Sequence, residues 1–213
     1  MIDEWSLPGG FVAKNETLEQ AAARVLQERT GLSEIFLSQF HVFSDPTRAN
    51  PALKQDKLEK AGISLKNYEW LYQRFLSVGF YALVEFSKVE PQPDVFSDHC
   101  EWHNIDQLGS LMMDHRQILE KALVAMRLQL RYQPIGYNLL PGKFTMPELQ
   151  KLYETILGKE LDRRNFQRKV LSYKILKRLP ERRLGVAHKS PYLYTFEIEN
   201  YNRALQDGLS GDW

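Results

Sequence analysis

The first place where this chain could do chemistry is a run of charged residues set around glycines near its start. Gly10 is followed after five residues by Glu16, after seven more by Arg24, and then by Glu28, Gly31 and Leu32. Carboxylates gathered on one helix can hold Mg²⁺, a hard cation that wants oxygen ligands and shares them with substrate phosphates. Positions 25 and 29 lie one turn apart on the same helix face. They carry Val25 and Arg29, a hydrocarbon and a guanidinium. Glu28 alone makes a poor cation site. A second run lies far downstream. Between Asp162 and Lys189 stand ten basic residues and only two acidic ones, a net charge of +8 that leaves −7 for the rest of a chain of net charge +1. Such asymmetry suits a polyanion-binding module attached to an acidic body.

The elements that position these residues can be read from local signals. Thr17 and Gln20 fit a capping box, Leu18, Ala21, Ala22, Val25 and Leu26 form an apolar stripe, and Gly31 fits a left-handed terminator. Arg24 and Glu28, four apart, form an ion pair on this helix with a scaffold role. Pro8-Gly9-Gly10 breaks regular structure before it, with Phe11 and Val12 resuming a strand. Strands are expected at 36–43 and 75–86, a short one at 101–105, and an amphipathic helix over 111–130. Pro46 to Lys66 reads as a polar insertion. Arg131 to Tyr137, with Pro134 and Gly136, is the expected domain boundary, giving domains at 1–131 and 134–205.

The second domain has a definite order. Thr145, Pro147 and Glu148 start a helix that stops near Gly158, and Asp162 caps a second helix from Arg163 to Tyr173. A strand follows at 175–179, then a basic turn from Pro180 to Pro191, then a strand at 192–196. Helix, turn, helix, strand, basic loop, strand is the winged-helix order. The second helix would enter the major groove, its early residues nearest the base edges. Arg163 and Arg164 stand there and can fork onto guanine O6 and N7, while Gln167 can pair with adenine. Arg168, Lys169 and Lys174 line the same helix, and Arg182, Arg183, His188 and Lys189 in the loop would meet phosphates or the minor groove.

The spacing from Gly10 to Leu32 resembles the Nudix box, the loop–helix–loop by which Nudix hydrolases hold Mg²⁺ against a diphosphate, and Trp5-Ser6-Leu7-Pro8-Gly9-Gly10 resembles the segment that precedes it. Against that pattern Val25 and Arg29 stand where the family has metal-binding glutamates, so the box is degenerate. With Pro134 to Pro141, Asp162 to Val170 and Leu193 to Phe196, the whole chain resembles the NrtR-type Nudix-related transcriptional regulators of bacteria, and most closely the sugar-responsive, arabinose-type branch in Bacteroidetes. The resemblance implies an α+β protein: a Nudix-like α/β/α sandwich with a mixed sheet, then a winged helix-turn-helix. It also implies a homodimer, an operator of double-stranded DNA, and a small-molecule effector, either a sugar or an ADP-ribose-like metabolite. The effector pocket it implies includes Trp5, Gly9, Gly10, Arg24 and Glu28. Relatives carry a hairpin before the glycine turn, and the sheet here is expected to lack it.

No cofactor, catalytic residue or metal site is expected. His99, Cys100, Glu101 and His103 lack a second Cys/His pair at finger spacing. One cysteine excludes an internal disulfide and suits a cytoplasmic protein, and no apolar run approaches a membrane span or a signal peptide. The alternative reading is an active Nudix hydrolase of ADP-ribose or another nucleoside diphosphate derivative. A third is a docking module for RNA or protein without regulation.

Overall fold

The computed structural model describes residues 4–33, 35–48, 73–84, 89–94, 97–137, 139–183 and 190–209. The chain divides into two compact units, Met1–Ala122 and Leu123–Trp213.

In the first unit, helix α1 (Leu18–Thr30) forms where its local signals place it. The Thr17 side chain accepts from the Gln20 N–H, the Gln20 side chain accepts from the Thr17 N–H, and Gly31 ends the helix at φ 70°. Strands β1 (Leu37–Phe43) and β2 (Ser77–Ala82) pair antiparallel, with a bulge between Gln39 and His41. At the bulge the Phe40 ring covers Gly79, where a Cβ would come within 2.5 Å of the ring. Trp5 makes a parallel bridge to Leu111, so pairing of both senses occurs in this unit. Arg48 ties these parts together. It donates to Asp114 at 2.6 and 3.2 Å, to the carbonyls of Phe43 and Phe75, and to the Ser77 hydroxyl. Both members of the Arg48–Asp114 pair are buried, at 9% and 8% side-chain exposure. The next residue opens helix α2 (His115–Gln129).

Three expectations for this unit change. Phe11 and Val12 do not form a strand, because the Phe11 carbonyl accepts from Arg24 at 2.9 Å instead of from a sheet partner. Residues 101–104 are irregular and lead into a 3₁₀ turn at Ile105–Gln107, started by the Asn104 side chain accepting from the Asp106 N–H. Helix α2 begins at His115 rather than 111, after Met113 at φ 50° and after Leu111 is taken by the Trp5 bridge. The division between the units falls inside α2, upstream of the Pro134–Gly136 segment. The last two turns of α2, Leu123–Gln129, belong to the second unit, where Arg127 donates to the Ile156 carbonyl at 2.9 Å. Most of the Pro46 to Lys66 insertion lies outside the described residues.

The second unit runs β3 (Phe144–Thr145), α3 (Met146–Leu157), α4 (Arg163–Ser172), β4 (Leu176–Arg182), β5 (Tyr192–Phe196) and α5 (Ile198–Asp207). Its antiparallel sheet has the order β3-β5-β4. The Thr145–Glu148 capping box opens α3, Gly158 at φ 67° closes it, and the Asp162 side chain accepts from the Asn165 N–H to start α4. The core joins Leu149, Tyr153 and Ile156 of α3 to Phe166 and Val170 of α4 and to Phe144, Tyr194 and Phe196 of the sheet. Strand β4 continues through Pro180 to Arg182, three residues beyond its expected end. It is an edge strand with a register shift between Arg178 and Arg182, and there a proline removes no ladder hydrogen bond. Helix α5 had no counterpart in the sequence reading. Its buried Tyr201 donates to the Pro134 carbonyl at 3.0 Å.

Candidate functional site

The charged run of the first unit is built on Arg24. Its guanidinium donates to both Glu16 oxygens (Nε at 3.1 Å, Nη2 at 2.7 Å), to the Phe11 carbonyl, and to Glu28 at 3.2 Å. The expected Arg24–Glu28 pair therefore exists, but it is the outer contact, with Glu28 half exposed. Glu16, eight residues upstream, is the nearer partner, and sequence spacing alone did not assign it. Hydrogen bonds from Arg24 and then from the Ala13 N–H hold the Glu16 carboxyl down to about 2. The same two carboxylates push the Arg24 pKa up. Gly10 fits under the helix for a steric reason: a Cβ there would lie 2.5 Å from a Val25 methyl. Gly9 is open on that side. Gly10, Arg24 and Glu28 thus belong to one assembly. Trp5 is engaged elsewhere, with its ring 4.4 Å from that of His103 and its backbone joined to Leu111 and Met112.

These residues do not fit a divalent cation. Glu16 and Glu28 both face Arg24, Val25 packs on Gly10, and Arg29 brings a further positive charge. Among the described residues no group of three or more His, Cys, Asp or Glu side chains gathers in a way that could hold a metal ion. Arg29 is only 13% exposed and donates to Asp94 at 2.9 Å. The Asp94 turn is closed by Ser97, whose hydroxyl donates to the Asp94 carboxylate at 2.7 Å and accepts from its N–H at 2.9 Å. The Gln92 N–H donates to the Arg29 carbonyl at 2.9 Å. Asp94 lies 65 residues from Arg29, and nothing local in the sequence pairs them.

In the second unit the basic residues gather on α4 and on the β4–β5 hairpin. Arg163 and Arg164 are exposed in the first turn of α4, Arg168 is exposed and donates to Asn165, and Gln167 and Lys169 are half-buried. Lys174 follows the helix, exposed and in the left-handed region at φ 57°, with its carbonyl accepting from Asn200. On the hairpin two guanidiniums lie against the Tyr192 ring, Arg182 at 4.1 Å and Arg178 at 4.6 Å from its centroid. Arg182 also donates to the Tyr192 hydroxyl at 2.7 Å and to the Ser190 carbonyl at 3.1 Å. Arg183 pairs with Glu148, the same carboxylate that completes the α3 capping box. Burial tends to raise the Glu148 pKa, but Arg183 and Thr145 outweigh it and the net shift is downward. Lys143 pairs with Glu181 at 2.7 Å. His188 and Lys189 lie outside the described residues. Sequence reading missed Tyr192 and Arg178 as a stacked unit. Their order on facing strands is a signal only once the β4–β5 register is known.

The NUDIX domain family matches residues 2–122, and the NrtR DNA-binding winged helix domain matches residues 136–196. A protein of Acinetobacter baylyi, named an ADPR responsive transcriptional repressor, NtrR, is 29% identical over 203 residues, which is 93% of this chain and 72% of that protein. The crystal structure of Shewanella oneidensis NrtR complexed with a 27mer DNA superposes with a TM-score of 0.67 at 22% identity, over 99% of this chain and 85% of that one. A MutT/nudix family protein from Enterococcus faecalis superposes with a TM-score of 0.59 at 23% identity, over 92% of this chain and 74% of that one.

Proposed function

Because this chain belongs to the Nudix family and carries an NrtR-type DNA-binding winged helix domain after its Nudix domain, we propose that it is a transcriptional regulator whose first domain senses a small molecule rather than hydrolysing one. The observation that carries this reading is the exposed basic surface of α4 and the β4–β5 hairpin, with Arg163 and Arg164 in the first turn of the helix. Arg163, Arg164, Gln167 and Arg168 read or approach base edges in the major groove. Lys169, Lys174, Arg182 and Arg183, with His188 and Lys189 of the hairpin loop, meet the backbone.

The effector is an ADP-ribose-like metabolite, in keeping with the name of the Acinetobacter relative. Arabinose, which the resemblance to the sugar-responsive branch suggests, is the competing candidate. Trp5, Gly9, Gly10, Arg24 and Glu28 contribute to its pocket. Val25 and Arg29 leave the box without the carboxylates that hydrolysis needs. The protein acts in the cytoplasm as a homodimer. A dimer places two recognition helices on half-sites about 34–36 Å apart, or a multiple of that. An effector that binds one dimer geometry better than the other shifts DNA affinity by that difference alone.

Selection of duplexes from a random pool, followed by mobility shifts with ADP-ribose and with arabinose, tests the proposal. A selected sequence whose binding changes with one effector, and is lost in Arg163→Glu/Arg164→Glu, supports it. DNA binding that survives that double substitution, or that ignores both effectors, counts against it. Mg²⁺-dependent cleavage of ADP-ribose that disappears in Glu28→Gln would favour the hydrolase instead.

A further inference from the structure

Helix α1 carries two guanidiniums in different electrostatic states. Arg24 is shared between two carboxylates and a carbonyl. Arg29 is only 13% exposed and meets one carboxylate, Asp94, through one nitrogen at 2.9 Å, which leaves the rest of its fork to be met by solvent or a ligand. A guanidinium presents five donors in a planar fork suited to phosphate oxygens. Burial pushes up the pKa of the neighbouring Cys100 thiol, which stays neutral and adds no competing charge. The carboxylate that Arg29 does meet sits on a short turn closed by Ser97, so Asp94 needs no contact with Arg29 to keep its own hydrogen bonds.

We propose that Arg29 takes the place of the divalent cation. A phosphate or diphosphate group of the effector binds the Arg29 guanidinium directly, displaces the Asp94 carboxylate, and requires no metal. This rests on the reading of the first unit as an effector-sensing domain. It goes further by naming the residue that recognises the phosphate and by dispensing with a metal.

Inorganic pyrophosphate, titrated calorimetrically into the full chain in excess EDTA, is the probe. Saturable binding is expected with no divalent cation present. Arg29→Gln should weaken it about tenfold or more, the loss of a charge-assisted fork on an anion. Asp94→Asn should tighten it, because the internal competitor has lost its charge. A merely structural ion pair predicts no such gain. Circular dichroism verifies each fold, and where Arg29→Gln does not fold, Asp94→Asn decides. Binding that appears only with Mg²⁺, that is unaffected by Arg29→Gln, or that weakens in Asp94→Asn overturns the proposal. The two readings fail separately: an effector response that needs Mg²⁺ removes the role of Arg29 and leaves the regulator, whereas absent DNA binding removes the regulator and leaves the pyrophosphate result.

Discussion

Glu16 keeps its charge because Arg24 donates to both of its oxygens, and that makes its contribution pH-dependent with a definite sign. Its pKa falls from 4.5 to about 2 in the folded chain. The stabilisation is therefore complete above pH 4.5 and is lost as pH falls from 4.5 toward 2. Glu16→Gln should melt below the parent at pH 7, and the gap should close in thermal melts taken at successively lower pH. His115 acts in another window. Its Nδ1 accepts the Leu7 N–H at 2.9 Å, which requires the unprotonated ring, and burial lowers its pKa from 6.5 despite the opposing pull of Asp114, with Arg48 adding to the fall. Its contribution is full above pH 6.5 and fades as pH falls through the lowered value. His115→Gln, which keeps an acceptor that does not titrate in that range, should flatten this part of the melting profile. On the hairpin, Tyr192→Leu should weaken operator binding several-fold by releasing the two guanidiniums that the ring holds in place, each through a cation–π contact worth about 0.5–1 kcal/mol. Tyr192→Phe should keep most of the affinity when both variants are titrated against a fluorescently labelled duplex.

At the scale of elements, α1 and the turn before it are interlocked through Gly10 and Val25. Gly10→Ala would drive a methyl into the Val25 side chain, and overpacking of this kind costs about 1–3 kcal/mol. Adding Val25→Ala should recover much of that loss, and chemical denaturation of the two single variants and the double one measures the coupling. The helix boundaries themselves were legible in the sequence because their determinants are local. Thr17 with Gln20, Thr145 with Glu148, Asp162, Gly31 and Gly158 all act within a few residues of the termini they set. What could not be read acts across the chain. Arg29 finds Asp94, Arg48 finds Asp114, and Arg24 prefers Glu16 to the partner four residues away. Pro180 misled for a related reason. A proline ends a central strand but not an edge strand, and which strand lies at the edge is a property of the sheet. The candidate DNA-facing residues of α4 were legible because an N-cap fixes where a helix starts, and so which residues occupy its first turn. The effector pocket was less so. Trp5 and the Gly10–Arg24 assembly take different partners, a difference that sequence proximity conceals.

For the molecule as a whole, operator binding should depend steeply on salt. With six or more phosphate contacts, affinity should fall on the order of a thousandfold between 50 and 200 mM salt. Arg182→Gln should lower the slope of log affinity against log salt by about one while leaving sequence preference intact. Strand β4 gives these cations a second duty. Among the described strands it is the margin of a three-stranded sheet, and Lys177, Arg178, Pro180 and Arg182 stand exposed along it, with Glu181 paired to Lys143. Like charges and a proline on an open margin keep two molecules from stacking strand to strand. Neutral β-formers in place of these arginines would relax operator affinity and also open that margin to strand pairing between molecules, so a DNA-blind yet well-behaved protein calls for glutamates there rather than alanines or valines.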